Sequence, residues 1–81
     1  MLQKLNSNSY VAGLKQSLKA IQSGKASEVL LASDADYFLS SKVSDTCLAN
    51  KVPVIGSYTK SQLGKMCRLD VDTAVVALLS Y

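Results

Sequence analysis

At 81 residues the chain has room for one domain, and a domain of that size buries only about 60–65% of its unfolded surface. A hydrophobic content of 48% excludes a disordered chain, and the absence of histidine removes the commonest general base and the commonest transition-metal ligand. The net charge of +3 is unevenly placed: residues 1–27 hold four lysines and no acid, whereas residues 28–81 hold five basic and six acidic side chains, a distribution that suggests one face for a polyanion.

Met1 to Asn6 reads as one or two helical turns with Leu2 and Leu5 inward, and Ser9 to Ala12 as a short strand. Gly13 then opens an amphipathic helix. Leu14, Leu18 and Ile21 recur at helical spacing as its apolar stripe, and Lys15, Lys19 and Gln22 recur on another face. Ser23-Gly24 ends it, with glycine suited to the left-handed position after a helix. Glu28 to Ala32 is a continuous apolar run, which fits a strand covered on both faces. Ser33 and Asp36 make a capping pattern, placing Asp34 and Asp36 in the first turn of a second helix that reaches about Asn50. Its expected buried stripe is Ala35, Phe38, Leu39, Val43, Cys47 and Leu48. Pro53-Val54-Ile55 reads as a second buried strand with proline at its beginning. A loop, Gly56-Ser57-Tyr58, precedes a capping box of Thr59 with Gln62. The helix after it turns Leu63, Met66 and Cys67 inward and Lys60, Lys65 and Arg68 outward. Asp70 to Asp72 is a polar break, and Thr73 to Ser80 is the last strand, central by virtue of its unbroken run from Ala74 to Leu79. Alternating strands and helices predict an α/β fold: a single domain over residues 1–81, built as a three-layer α/β/α sandwich around a mixed sheet of about four strands.

The start of the first helix is the most informative feature. Helix N-termini ordinarily carry Asp or Glu, because the dipole end is positive and a cation there costs roughly 0.3–1 kcal/mol. Here the first turns carry Lys15 and Lys19, and no acid occurs before Glu28. An anionic ligand would relieve this charge, since exposed N–H groups with lysines make a phosphate site. A solvated basic face that tolerates the dipole is the competing reading. A second binding candidate is Ile55-Gly56-Ser57-Tyr58, able to pack on or stack against an unpaired base, although taken alone it reads as an ordinary strand-to-helix turn. Both segments follow strands and could share one end of the sheet, where α/β folds usually bind ligands.

No constellation for bond making emerges. Asp34 and Asp36 are two apart, so on a helix they do not face one another, and capping accounts for both. Asp70 and Asp72 flank Val71 in a turn, short of the several oxygens a hard cation wants, so no metal site is expected. Without histidine there is no serine–histidine triad, and no phosphate-binding glycine loop is present. Cys47 and Cys67 read as buried small side chains in a reducing compartment. The N-terminus lacks the apolar segment of a secretory signal and the longest apolar run is too short for a bilayer, so a cytoplasmic protein without a cofactor is expected.

The segment Gly13 to Ile21 resembles the glycine–helix motif of the ribosomal protein L7Ae family. "EVLLASDAD", Glu28 to Asp36, resembles that family's strand and acidic helix start, while Pro53-Val54-Ile55 and Leu63-Gly64-Lys65 match its later strand and helix. The likeness spans roughly residues 8–80 and is nearest to the short bacterial members of the YbxF type. It implies a three-layer α/β/α fold, no enzymatic activity, and binding to kink-turn RNA, a duplex sharply bent at a short bulge flanked by sheared G·A pairs. The family's helix start usually reads glycine, a variable residue, asparagine, glutamate, two variable residues and lysine. Lys15 and Gln16 stand at the asparagine and glutamate positions, as in the short bacterial members, and Lys19 keeps the lysine. The resemblance therefore implies an RNA-binding set of Gly13, Leu14, Lys15, Gln16 and Lys19, joined by Asp36 and by Ile55, Gly56, Ser57 and Tyr58 as the loop that packs on bulged nucleotides. The expected partner is structured RNA, with the ribosome as a further candidate, and the protein is expected to be a monomer. A ribosome-associated protein-interaction module is the alternative, and a small-molecule enzyme at the sheet end a third.

Overall fold

The uninterrupted apolar runs near residues 29–32 and 74–79 become the two interior strands of a four-stranded mixed sheet. A computed structural model describes residues 10–79. Along the chain these form β1 (Tyr10–Ala12), α1 (Leu14–Gln22), β2 (Ala26–Leu31), α2 (Tyr37–Ala49), β3 (Val54–Ile55), α3 (Lys60–Met66) and β4 (Val75–Leu79). The strand order is β1-β4-β2-β3. β4 runs antiparallel to both β1 and β2, and β2 pairs in parallel with β3. The central placement of the last strand and the expected four strands hold. The helical turns expected at Met1 to Asn6 lie outside the described residues, as do Ser9 and Ser80.

Side chains of a strand alternate between its two faces, and that alternation sorts the core into two. Val29 of β2 with Val75 and Ala77 of β4 packs beneath α1 and α2, against Ile21, Val43 and Cys47. Leu30 and Val76 point the other way, onto Leu63, Met66 and Cys67 of the α3 side. Helices thus cover both faces, which is the three-layer arrangement. Continuous rather than alternating apolar runs are what a strand covered on both sides requires.

Three expectations need correction. First, α2 begins at Tyr37, with Asp36 as its N-cap accepting from the N–H groups of Phe38 and Leu39 at 3.1 and 3.4 Å. Ser33 does not cap this helix, because the 33–36 segment is tied elsewhere. The Ser33 N–H donates to the Tyr58 carbonyl at 2.8 Å, and Asp34 Oδ1 accepts from the Lys60 N–H at 2.8 Å. Asp34 therefore stabilises the start of α3, not α2, and helps the Thr59–Gln62 capping box, which forms as expected. Second, Phe38 and Leu48 are each 80% exposed. The buried face of α2 runs through Leu39, Val43 and Cys47 at four-residue steps, and neither Phe38 nor Leu48 falls on it. Third, β3 is a two-residue edge strand whose Val54 is exposed, so it is not a buried strand.

All three helices end in the same way. After each C-cap one residue takes a left-handed conformation: Gly24 (φ 78°), Lys51 (φ 58°) and Arg68 (φ 58°). Its N–H and the next bond back to carbonyls of the last turn, as Lys51 to Leu48 and Val52 to Cys47, or Arg68 to Lys65 and Leu69 to Gly64. This paired closure satisfies carbonyls that would otherwise lack partners.

Both cysteines are free and buried, and burial pushes each thiol above its ordinary value. The thiolate is the nucleophile, so alkylation by iodoacetamide at pH 8 is expected to be at least tenfold slower in the native protein than after denaturation. Because the folded state favours the protonated thiol, its contribution is intact below the unfolded value near 8.5 and fades as pH rises through the higher folded one. Denaturant midpoints measured from pH 7 to 10 should accordingly be flat at first and fall towards the alkaline end.

Candidate nucleic-acid interface

The helix start singled out in the sequence is built by one glycine. Gly13 holds φ 97° and ψ 157°, donates its N–H to the Val75 carbonyl at 3.0 Å, and accepts from the Ser17 N–H at 3.0 Å. It pins the end of β1 to β4 and starts α1 within a single residue. No side chain caps this end and no acid lies in its first turn. The N–H groups of Leu14, Lys15 and Gln16 therefore have no partner within the helix and point outward from its positive end. Lys15, Gln16 and Lys19 are exposed around them, while Leu14 is half-buried against the α1–α2 core.

Strand directions decide what lies beside this helix start. β1, β2 and β3 all end where β4 begins, so Gly13 and the segments 32–36, 56–59 and 68–74 share one end of the sheet. Asp36 and the loop Ile55 to Tyr58 are thus at the same end as Lys15, Gln16 and Lys19. They are not adjacent, however. β1 and β3 occupy opposite margins of the sheet, and three strand spacings of about 4.8 Å put them roughly 14 Å apart. Within that loop Gly56 and Ser57 are exposed, whereas Ile55 and Tyr58 are half-buried against the α3-side core. Asp36 is exposed with Oδ2 engaged in capping α2.

The immediate neighbour of Gly13 is the segment before β4. Leu69 and Val71 are 41% and 69% exposed, and with Gly13, Leu14, Asp72 and Thr73 they line an open groove. Two backbone bonds fasten this segment to α3: Leu69 N–H to the Gly64 carbonyl at 2.9 Å and Thr73 N–H to the Lys60 carbonyl at 3.1 Å. In the sequence, residues 70–72 read as a polar break because the two aspartates dominate them. The missed signal is Leu69 and Val71, two apolar residues alternating with acids where no helix or strand needs them. A second groove runs between α1 and α2, lined by Lys15, Gln16, Lys19, Gln22 and Lys42. Among the described residues no ion pair engages Lys15, Lys19 or Lys42.

Among the described residues no three metal-ligating side chains gather, and no helix is long and apolar enough to cross a membrane. The family model described as "Ribosomal protein L7Ae/L30e/S12e/Gadd45 family" matches residues 1–81. The chain belongs to this family. Among similar proteins, an RNA-binding protein of Geobacillus kaustophilus is 39% identical over 75 residues, covering 93% of this chain and 92% of the relative. RNA-binding protein YbxF of Geobacillus stearothermophilus is 37% identical over 75 residues, with the same two coverages of 93% and 92%. The 15.5 kD RNA-binding protein of Giardia lamblia superposes with a TM-score of 0.84 at 28% identity, covering 91% of this chain and 62% of the other. The three-layer α/β/α fold inferred from alternating strands and helices is thus shared with a solved structure.

Proposed function

We propose that this protein is a non-enzymatic RNA-binding protein that recognises and stabilises kink-turns. The observation carrying this reading is the uncapped, acid-free start of α1, with Lys15, Gln16 and Lys19 exposed around it and the apolar wall of Leu69 and Val71 beside it. Relatives that are RNA-binding proteins at up to 39% identity support it. Regular A-form RNA hides its base edges in a deep, narrow groove, whereas a sharp bend opens that groove to a helix end. In this reading the free N–H groups of α1 meet backbone phosphate. Lys15 and Lys19 reach phosphates or guanine acceptors, and the Gln16 amide donates and accepts at a base edge without repelling phosphate. Leu14, Leu69 and Val71 offer an apolar surface for a base turned out at the bulge. Asp36 and the 55–58 loop reach only RNA that extends across the sheet end.

A gel-shift comparison tests the reading. Kink-turn RNA is expected to bind at least tenfold more tightly than the same duplex with its G·A pairs replaced by Watson–Crick pairs, and binding should weaken with added salt. Equal affinity for the two RNAs would refute specific recognition. Lys19→Ala is expected to weaken kink-turn binding by about 1–3 kcal/mol with no change in the melting temperature, as for a base-reading contact from an exposed side chain.

A further inference from the structure

Two side chains of α2 lie outside every role described so far. Phe38 is 80% exposed, beyond the helix's buried face. Lys42 is four residues on and shares its side of the helix, one turn further from the N-terminus. The groove between α1 and α2 fixes where that side looks, because Lys42 lines it together with Lys15, Gln16, Lys19 and Gln22. α2 starts just after β2 ends, so its N-terminus is at the same end of the sheet as Gly13. Phe38 therefore stands towards the mouth of this groove, on the side where α1 begins. Tyr37 meets its ring edge-on, with centroids 6.0 Å apart at 69°, which steadies the ring in solvent.

The surroundings of Phe38 point to a nucleotide and not to a protein. A protein-docking helix would continue the apolar surface, but the next turn on this side brings Lys42, with Asp45 beyond it. Leu48 and Tyr37, eleven residues apart, share a different side of α2. Facing Lys42 are Lys15 and Lys19, and none of the three is neutralised by an ion pair among the described residues. An aromatic ring followed by cations is what a single-stranded nucleotide needs: a flat surface for the base and charge for the phosphate.

We infer that Phe38 and Lys42 form a shelf for an unpaired nucleotide of the bound RNA. Its base stacks on Phe38, and the flanking phosphates lie in the α1–α2 groove between Lys42 and the Lys15–Lys19 pair. This inference rests on RNA binding at the α1 start and extends it to a strand that leaves the duplex there.

The test uses kink-turn RNA in two forms, blunt and with three-nucleotide single-stranded extensions on either strand. The wild-type protein should bind one extended form about tenfold more tightly than the blunt one, a gain typical of one stacked base. Phe38→Ala and Lys42→Ala should lose that gain while binding blunt RNA within about twofold of wild type and melting unchanged. Phe38→Trp should keep the gain and Phe38→Leu should lose it, separating stacking from simple apolar contact. Lys42→Ala should lower the salt dependence for the extended RNA by about one ion, and Phe38→Ala should leave it alone. No gain from either extension, or a gain that survives Phe38→Ala, would overturn the shelf while leaving kink-turn recognition intact. Self-association of the free protein abolished by Phe38→Ala would assign the ring to a second copy of this chain and overturn it equally. Failure of wild type to distinguish blunt kink-turn RNA from the Watson–Crick duplex would instead bring down the reading on which it rests.

Discussion

Gly64→Ala is expected to destabilise the domain by about 2 kcal/mol, although alanine is the better helix former. Gly64 is buried within α3. A Cβ at this position would collide with the Val71 carbonyl oxygen and would sit 3.3 Å from the Val71 carbonyl carbon and 3.4 Å from the Asp72 Cα. All three are backbone atoms, so no side chain can turn aside to make room. The segment they belong to is fastened at both ends by the Leu69–Gly64 and Thr73–Lys60 backbone bonds. Overpacking against such a neighbour costs up to about 3 kcal/mol, and the intrinsic gain of alanine over glycine returns at most about 1. A domain of this length has a total stability of only about 4–12 kcal/mol, so the net loss should be plain in denaturant titration. The substitution should also weaken RNA binding in protein that is still folded, because α3 and the 69–73 segment must part and Val71 moves with them. Lys65→Ala, exposed on the same helix, serves as the control and should change neither. A stabilised Gly64→Ala would mean that the close approach of α3 to this segment is wrong.

Legibility of the fold in the sequence follows from how local each signal is. The runs at Val29 to Ala32 and Ala74 to Leu79 announce strands covered on both faces, and both become interior strands. The Thr59–Gln62 box is complete within four residues and forms as written. Ser33–Asp36 has the same spacing but does not form a box, because Ser33 and Asp34 are claimed by Tyr58 and Lys60 from a later part of the chain. Such long-range claims leave no trace in a local pattern. The left-handed turns at Lys51 and Arg68 are hidden for a different reason: only glycine advertises that conformation, and here helix closure imposes it on basic residues. Phe38 and Leu48 are misplaced by assuming that an apolar residue near the stripe belongs to it. The rule that apolar residues lie inside runs one way only. At the candidate site, Gly13, Lys15, Gln16 and Lys19 all fall within the seven residues 13–19 and are therefore readable. The partnership of Gly13 with Leu69 and Val71 depends on β4 lying beside β1, a pairing between segments more than fifty residues apart.

Gly13→Ala should cost both binding and stability, whereas a change to the exposed lysines costs binding alone. A φ of 97° with a ψ of 157° belongs to the region that essentially only glycine occupies, and holding another residue there costs about 1–3 kcal/mol. Beyond the two adjacent residues, no atom lies within 4 Å of a Cβ built at this position. The penalty is therefore wholly one of backbone conformation, and repacking neighbours cannot relieve it. Relief must come from rotating the peptide groups on either side, which strains the bonds from Gly13 to Val75 and from Ser17 to Gly13. The strand pairing of β4 with β2 is extensive and should survive, so the melting temperature should fall while the domain stays folded at 25 °C. The first turn of α1 is then the part that yields, and with it the aim of the Leu14, Lys15 and Gln16 N–H groups. Kink-turn affinity should drop at least tenfold at a temperature where circular dichroism shows full folding, a loss of about 1.4 kcal/mol or more. Lys19→Ala makes the contrast, weakening binding without touching stability. If folded Gly13→Ala binds kink-turn RNA as tightly as wild type, the start of α1 is not where the RNA is read, because the one residue that sets its geometry would have been altered without consequence.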